Sequence, residues 1–134
     1  MDYLTAAKVS SGFGGGMYLG SVCGAVTGGI MAIGLKYGGA DRKAQMQTAK
    51  VVREFADRFK AQHRSVNCPD LTGVDLSNPE VMKKLSADPS NPESVKAAKD
   101  LLRGRDVKEV FAACRGYVRD ATKIVSELLN DAPR

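Results

Sequence analysis

The hydrophobic and polar positions of this chain change character several times between its ends. Tyr3 to Val9 is a short mixed run that stops at Ser10-Ser11-Gly12-Phe13-Gly14-Gly15-Gly16. Three consecutive glycines would each cost a helix about 1 kcal/mol relative to Ala, so this block predicts a loop or tight turn. From Met17 to Leu35 there is no charged residue, and Val22, Cys23, Ala25, Val26, Ile30, Met31, Ile33 and Leu35 surround any helix drawn through them. The pattern predicts a helix buried on all sides, ending at Tyr37-Gly38-Gly39, where glycine supplies the cap. Asp41 to His63 reads as an amphipathic helix, with Val52, Phe55, Ala56 and Phe59 at i, i+3, i+4 and i+7. Pro69 biases Cys68 toward an extended conformation, which places Cys68 in a loop. Two nearly identical capping boxes, Ser77-Asn78-Pro79-Glu80 and Ser90-Asn91-Pro92-Glu93, each open a short helix.

Asp106, with Glu109 three residues on, opens a last helix. Its apolar stripe runs Val107, Val110, Phe111, Cys114, Tyr117, Val118, Ala121, Ile124, Val125, Leu128 and Leu129. No segment alternates with period two, so the expected fold is all-α. It is a compact helical bundle around a glycine-rich apolar central helix, one domain over residues 1–134 with 77–105 as a small helical insertion.

Glycine recurs at every fourth residue, at Gly12, Gly16, Gly20, Gly24 and Gly28, a spacing that predicts a small-residue ridge open to close backbone approach. Val9 to Leu35 is 27 uncharged residues, but nine of them are glycine. The strongly apolar part is about 19 residues, at the lower edge of a spanning helix, so no membrane span is expected.

The 134 residues suffice for one modest core. The net charge of +5 is not spread evenly. Residues 65–134 carry 11 acidic and 11 basic side chains, and the surplus sits in residues 36–64. There Lys36, Arg42, Lys43, Lys50, Arg53, Arg58, Lys60 and Arg64 meet only Asp41, Glu54 and Asp57. Charge laid along a helix in this way reads as a solvated face, and no specific nucleic-acid partner is expected.

Candidate chemistry narrows to sulfur. The three cysteines, Cys23, Cys68 and Cys114, form no CxxC pair, and an odd, sparse set without a secretory leader points to a reducing cytoplasm. Thiolates serve as redox couples or as ligands for zinc, Cu(I) or iron–sulfur clusters. His63, the only histidine, is the candidate fourth ligand. The packing alternative treats Cys23 and Cys114 as small core hydrophobes. Nucleotide motifs fail: Met17 stands where GxGxxG needs its last glycine, and there is no GxxxxGK.

The runs Ser10 to Gly16, Val22 to Gly29 and Ile33 to Gly38 resemble the C_GCAxxG_C_C family of redox-active proteins, small bacterial chains with four cysteines. Cys23 to Gly28 matches the family's Cys-Gly-Ala-x-x-Gly motif. Phe55 to Phe59, Ser65 to Cys68 leading into Asp70 to Leu76, and Cys114 with the helix after it extend the likeness. The resemblance implies cysteine-based redox or electron-transfer chemistry with an unidentified redox partner. Cys23, Cys68 and Cys114 would be the redox thiols or metal ligands, and Gly20, Gly24 and Gly28 would make room for a cofactor such as an iron–sulfur cluster or another thiolate-bound metal. The family pattern has a further cysteine ahead of the glycine block, which this chain lacks. Either the chain is a shortened member of the family, or His63, an exogenous ligand or a second subunit fills that place. The rival expectation is a structural or interaction protein that uses the glycine ridge for helix packing or homo-oligomerisation.

Overall fold

The uncharged run does not fold as one helix. In the computed structural model, which describes residues 1–86 and 88–131, helix α1 (Tyr3–Ser10) leads into a short 3-10 turn, Ser11–Phe13, and then a five-residue turn, Gly16–Gly20. Met17 and Tyr18 adopt φ of 63° and 52°, the left-handed region, which no continuous α-helix tolerates. The chain is extended at Ser21–Cys23, and helix α2 begins only at Gly24, running to Tyr37. The glycines at every fourth residue therefore make no continuous ridge: Gly12, Gly16 and Gly20 lie in turns, and Gly24 and Gly28 lie on α2.

Nor is the apolar run buried throughout. Ala25, Val26, Gly29 and Ile33 of α2 are buried, whereas Leu19 and Leu35 are exposed. At 14 residues α2 is about 21 Å long, short of the roughly 30 Å hydrocarbon thickness of a bilayer. No helix among the described residues is long and apolar enough to cross a membrane.

Helix α3 (Arg42–His63) starts where Asp41 Oδ1 accepts from Ala44 N at 2.8 Å, and it ends at Arg64 in the left-handed cap conformation. Its buried positions Val51, Phe55 and Phe59 pack against α2 and against α7 (Val107–Asp131), which contributes Ala121, Ile124, Val125 and Leu128. These three long helices enclose the main core. Burying a side chain the size of Phe contributes about 1.5–3 kcal/mol, so Phe55 and Phe59 are principal anchors. Gly29 lets the Phe55 ring lie directly on the α2 backbone, since a Cβ there would come within 2.5 Å of the ring. The basic residues of α3 lie on its exposed side, where Arg58 pairs with Glu54 at 3.0 Å and Lys60 with Asp57 at 3.8 Å.

Between α3 and α7 lie three short helices, α4 (Cys68–Thr72), α5 (Pro79–Leu85) and α6 (Pro92–Leu101). The repeated motif that opens α5 and α6 is capped one residue later than a capping box would have it. Asn78 and Asn91 accept from Glu80 N and Glu93 N, each at 3.0 Å, because Pro79 and Pro92 occupy the first turn. Ser77 and Ser90 instead donate to Asp75 and Asp88, which completes a repeated Asp-x-Ser-Asn-Pro-Glu unit. A second small core of Val74, Leu102 and Val110 lies beneath these helices, with Leu76, Val81, Leu85 and Val107 around it. Among the described residues all regular structure is helical apart from one isolated β-bridge.

Candidate functional site

That isolated bridge organises the thiols. Val22 faces Asn67 in antiparallel register, Cys23 N donates to Val66 O at 2.7 Å, and Cys68 N donates to Ser21 O at 2.8 Å. In such a register the side chains of residues 23 and 68 leave on the face opposite Val22 and Asn67. They are diagonal neighbours, within about 8 Å backbone to backbone. Each cysteine then starts a helix: Cys23 caps α2, and Cys68 is the first residue of α4.

Cys68 is therefore not in an open loop. Asn67 is extended at φ −89° and ψ 134°, Pro69 sits in the first helical turn where its missing N–H costs nothing, and Cys68 is buried at 5% exposure. Pro69 starts a helix here rather than marking a break.

The glycine turn closes over this pair. Gly16 has φ +67°, its carbonyl accepts from Ser21 N at 3.0 Å, and a Cβ on it would stand 2.9 Å from Cys68 Cβ. Gly24 has its own close neighbour, because a Cβ there would lie 3.0 Å from Phe13 O. Gly20 adopts φ +64° beside Asp75, and a Cβ on Gly28 would meet nothing within 4 Å. Gly28 lines an apolar groove of about 360 Å³ between α2 and α7.

Cys114, on α7, lines a small apolar cavity together with Thr72 of α4. Burial pushes the Cys68 thiol above its usual value of 9.0; a hydrogen bond from the Thr72 hydroxyl acts the other way, and the charges of the Cys23 and Cys114 thiolates raise it further. Cys114 is raised in turn, by burial first and then by the Cys23 thiolate, while the Arg115 guanidinium opposes the shift. Tyr117 is also raised, by burial and then by the charges of Cys114 and Cys23. The charges of the other two thiolates thus act on Cys68 and that of Cys23 on Cys114, while Tyr117 feels both Cys114 and Cys23.

Two further residues hold α4 in place. Tyr117 donates through its hydroxyl to Leu71 O at 2.9 Å, and Arg105 donates to Thr72 O at 2.8 Å. Thr72, buried at 4% exposure, also donates to Cys68 O at 2.8 Å. Thr72 lies four residues after Cys68, the helical neighbour spacing, but that signal is readable only once residues 68–72 are known to be helical.

His63 is engaged away from the sulfurs. Its ring lies between Phe59 and Tyr117, at centroid distances of 4.7 and 4.9 Å. Nε2 stands 3.1 Å from Asp120 Oδ2, within ion-pair range but poorly aligned for a hydrogen bond. Among the described residues no three His, Cys, Asp or Glu side chains converge closely enough to hold a metal ion. Thiolate ligation of one metal ion needs sulfurs about 2.3 Å from a common point, and Cys23, Cys68 and Cys114 do not fit a single ion shared by all three.

The raised thiols carry a consequence for stability. An unfolded Cys68 releases its proton near 9.0, whereas the folded one holds it to higher pH, so between those two values the native state binds more protons than the unfolded state. Stability of the reduced protein is therefore full below about pH 9 and falls as pH rises through the folded value. Urea unfolding midpoints taken under reductant from pH 7 to 10 will record this fall, and Cys68→Ala will make it shallower. An unchanged slope in that variant would contradict the assignment.

The fold and the site define a small all-α protein with two buried thiols at helix starts and a third, half-buried, on the last helix. The chain belongs to the C_GCAxxG_C_C family, whose model, described as "Putative redox-active protein (C_GCAxxG_C_C)", matches residues 1–128. No curated protein and no solved structure matches it.

Proposed function

We propose that the protein is a thiol–disulfide redox carrier in which Cys23 and Cys68 form the working couple. The observation that carries this reading is the pair of backbone hydrogen bonds, Cys23 N to Val66 O and Cys68 N to Ser21 O, which makes the two cysteines diagonal neighbours across the bridge. A disulfide spans about 4.4–6.8 Å between Cα atoms, so a small closing movement of the two helix starts joins the sulfurs. On oxidation the two thiols lose two electrons and two protons as the S–S bond forms. An external disulfide accepts the electrons and leaves as two thiols. The partner is a thiol–disulfide protein or a small disulfide of a reducing compartment.

The raised value at Cys68 supports a reducing couple. Strong oxidants of this chemistry owe their potential to a thiolate stabilised in the reduced form, and Cys68 is shifted in the opposite direction. Glycine at position 16 lets the turn cover Cys68 without a clash, which keeps water and stray oxidants from the pair.

The test is a thiol count. Of the three free thiols, equilibration in a glutathione buffer with the reduced form in excess, which keeps mixed disulfides scarce, is expected to leave one that reacts with Ellman's reagent after denaturation. A count of three after oxidation would end this reading.

A further inference from the structure

Cys23 and Cys68 are buried, with 8% and 5% of their surfaces exposed. Cys114 is different. It lies on α7 at the border between two faces of one helix: Val110 and Ala121, four residues before it and seven after, are buried, whereas Phe111 and Val118, three before and four after, are 47% and 53% exposed. The 3.6-residue period puts Cys114 angularly between these two sets, which is why it is only half-buried. On its inner side it lines a small apolar cavity together with Thr72 of α4, and Tyr117, three residues after it, donates to Leu71 O, three residues after Cys68.

We infer that Cys114 is the entry thiol of the site, the sulfur that exchanges with a low-molecular-weight disulfide and passes oxidation inward to Cys68 and Cys23. This rests on the redox-couple reading above and assigns the third thiol a role within it.

The steps balance as ordinary thiol–disulfide exchange. The Cys114 thiolate attacks one sulfur of the external disulfide, giving a mixed disulfide on Cys114 and releasing one thiolate, which takes up a proton. Cys68, as thiolate, attacks the Cys114 sulfur, expels the second external thiolate and forms a Cys68–Cys114 bond. Cys23 then attacks the Cys68 sulfur, which forms Cys23–Cys68 and returns Cys114 to its thiol. The net change is two protein thiols and one external disulfide converted to one protein disulfide and two external thiols. The backbone bridge favours Cys23–Cys68 as the resting product, because it joins only those two segments.

Oxidised glutathione is the probe. Cys114→Ser is expected to slow formation of the Cys23–Cys68 disulfide at least tenfold while leaving the same disulfide at equilibrium. Proteins that keep one cysteine each provide a measurement independent of that variant. Cys23→Ser/Cys68→Ser will take up one glutathione on Cys114 at least tenfold faster than the proteins that keep only Cys23 or only Cys68. A Cys114→Ser protein as fast as wild type, or uptake at Cys23 or Cys68 as fast as at Cys114, overturns the entry role. Failure of the wild-type protein to form any Cys23–Cys68 disulfide overturns the couple itself.

Discussion

Gly16→Ala is expected to cost the folded protein about 2–4 kcal/mol and to open the cysteine pair to solvent. Two effects add. Gly16 sits at φ +67°, where a residue with a Cβ pays about 1–2 kcal/mol. The new Cβ would also stand 2.6 Å from both the nitrogen and the oxygen of Ser21, backbone atoms that are themselves hydrogen-bonded to Gly16 and Cys68. The strand-like pairing of residues 21–23 with 66–68 cannot hold its register while Ser21 shifts, so alkylation of Cys68 by a maleimide should accelerate along with the loss of stability. Gly28→Ala is the matched control. A Cβ there meets nothing within 4 Å and the residue is helical, so this change should stabilise by about 0.5–1 kcal/mol. Urea unfolding of both variants measures the contrast, and equal stabilities would refute the role given to the glycine turn.

Phe55→Ala should be the most damaging single change in the core, at about 3–5 kcal/mol. Its ring is fully buried among α2, α3 and α7 and lies on the bare backbone of Gly29, where the surroundings have little freedom to collapse. That contact makes the two positions non-additive. Gly29→Ala alone forces the ring away, since its Cβ would approach within 2.5 Å, and in the Phe55→Ala background the same methyl enters the space the ring has left. A double-mutant cycle by urea unfolding should return a coupling of about 1 kcal/mol or more. Additive behaviour would mean that Phe55 and Gly29 do not meet as described.

The long amphipathic elements were legible because their apolar periods are local. Val52, Phe55 and Phe59 announce α3, and the stripe ending at Leu128 announces α7. What periodicity cannot register is a pairing between segments far apart in the chain. The extended backbone at Ser21–Cys23 exists only because Val66–Cys68 lies beside it, and the left-handed Met17 and Tyr18 are the turn that delivers it. Hydropathy reads the same residues as the start of a long buried helix. Cys68 fails for a related reason: Pro69 reads equally well as a helix stop or as a first-turn residue, and only the extended Asn67 distinguishes them.

At the site, the three thiols could be named from the sequence and their placement could not. Their coupling depends on the crossing of α7 over α4, secured by Tyr117 to Leu71 O and Arg105 to Thr72 O. The lone histidine invited a ligand role because it lies five residues before Cys68. Its neighbour Asp120 comes from another helix.

The most direct test of the central claim is disulfide mapping of the oxidised protein. After equilibration with oxidised glutathione and acid quenching, proteolysis and mass spectrometry should recover the peptide containing Cys23 joined to the peptide containing Cys68, with Cys114 outside that linkage as a thiol or a glutathione adduct. Recovery of all three cysteines as thiols, or of Cys114 in the stable disulfide, would contradict the account.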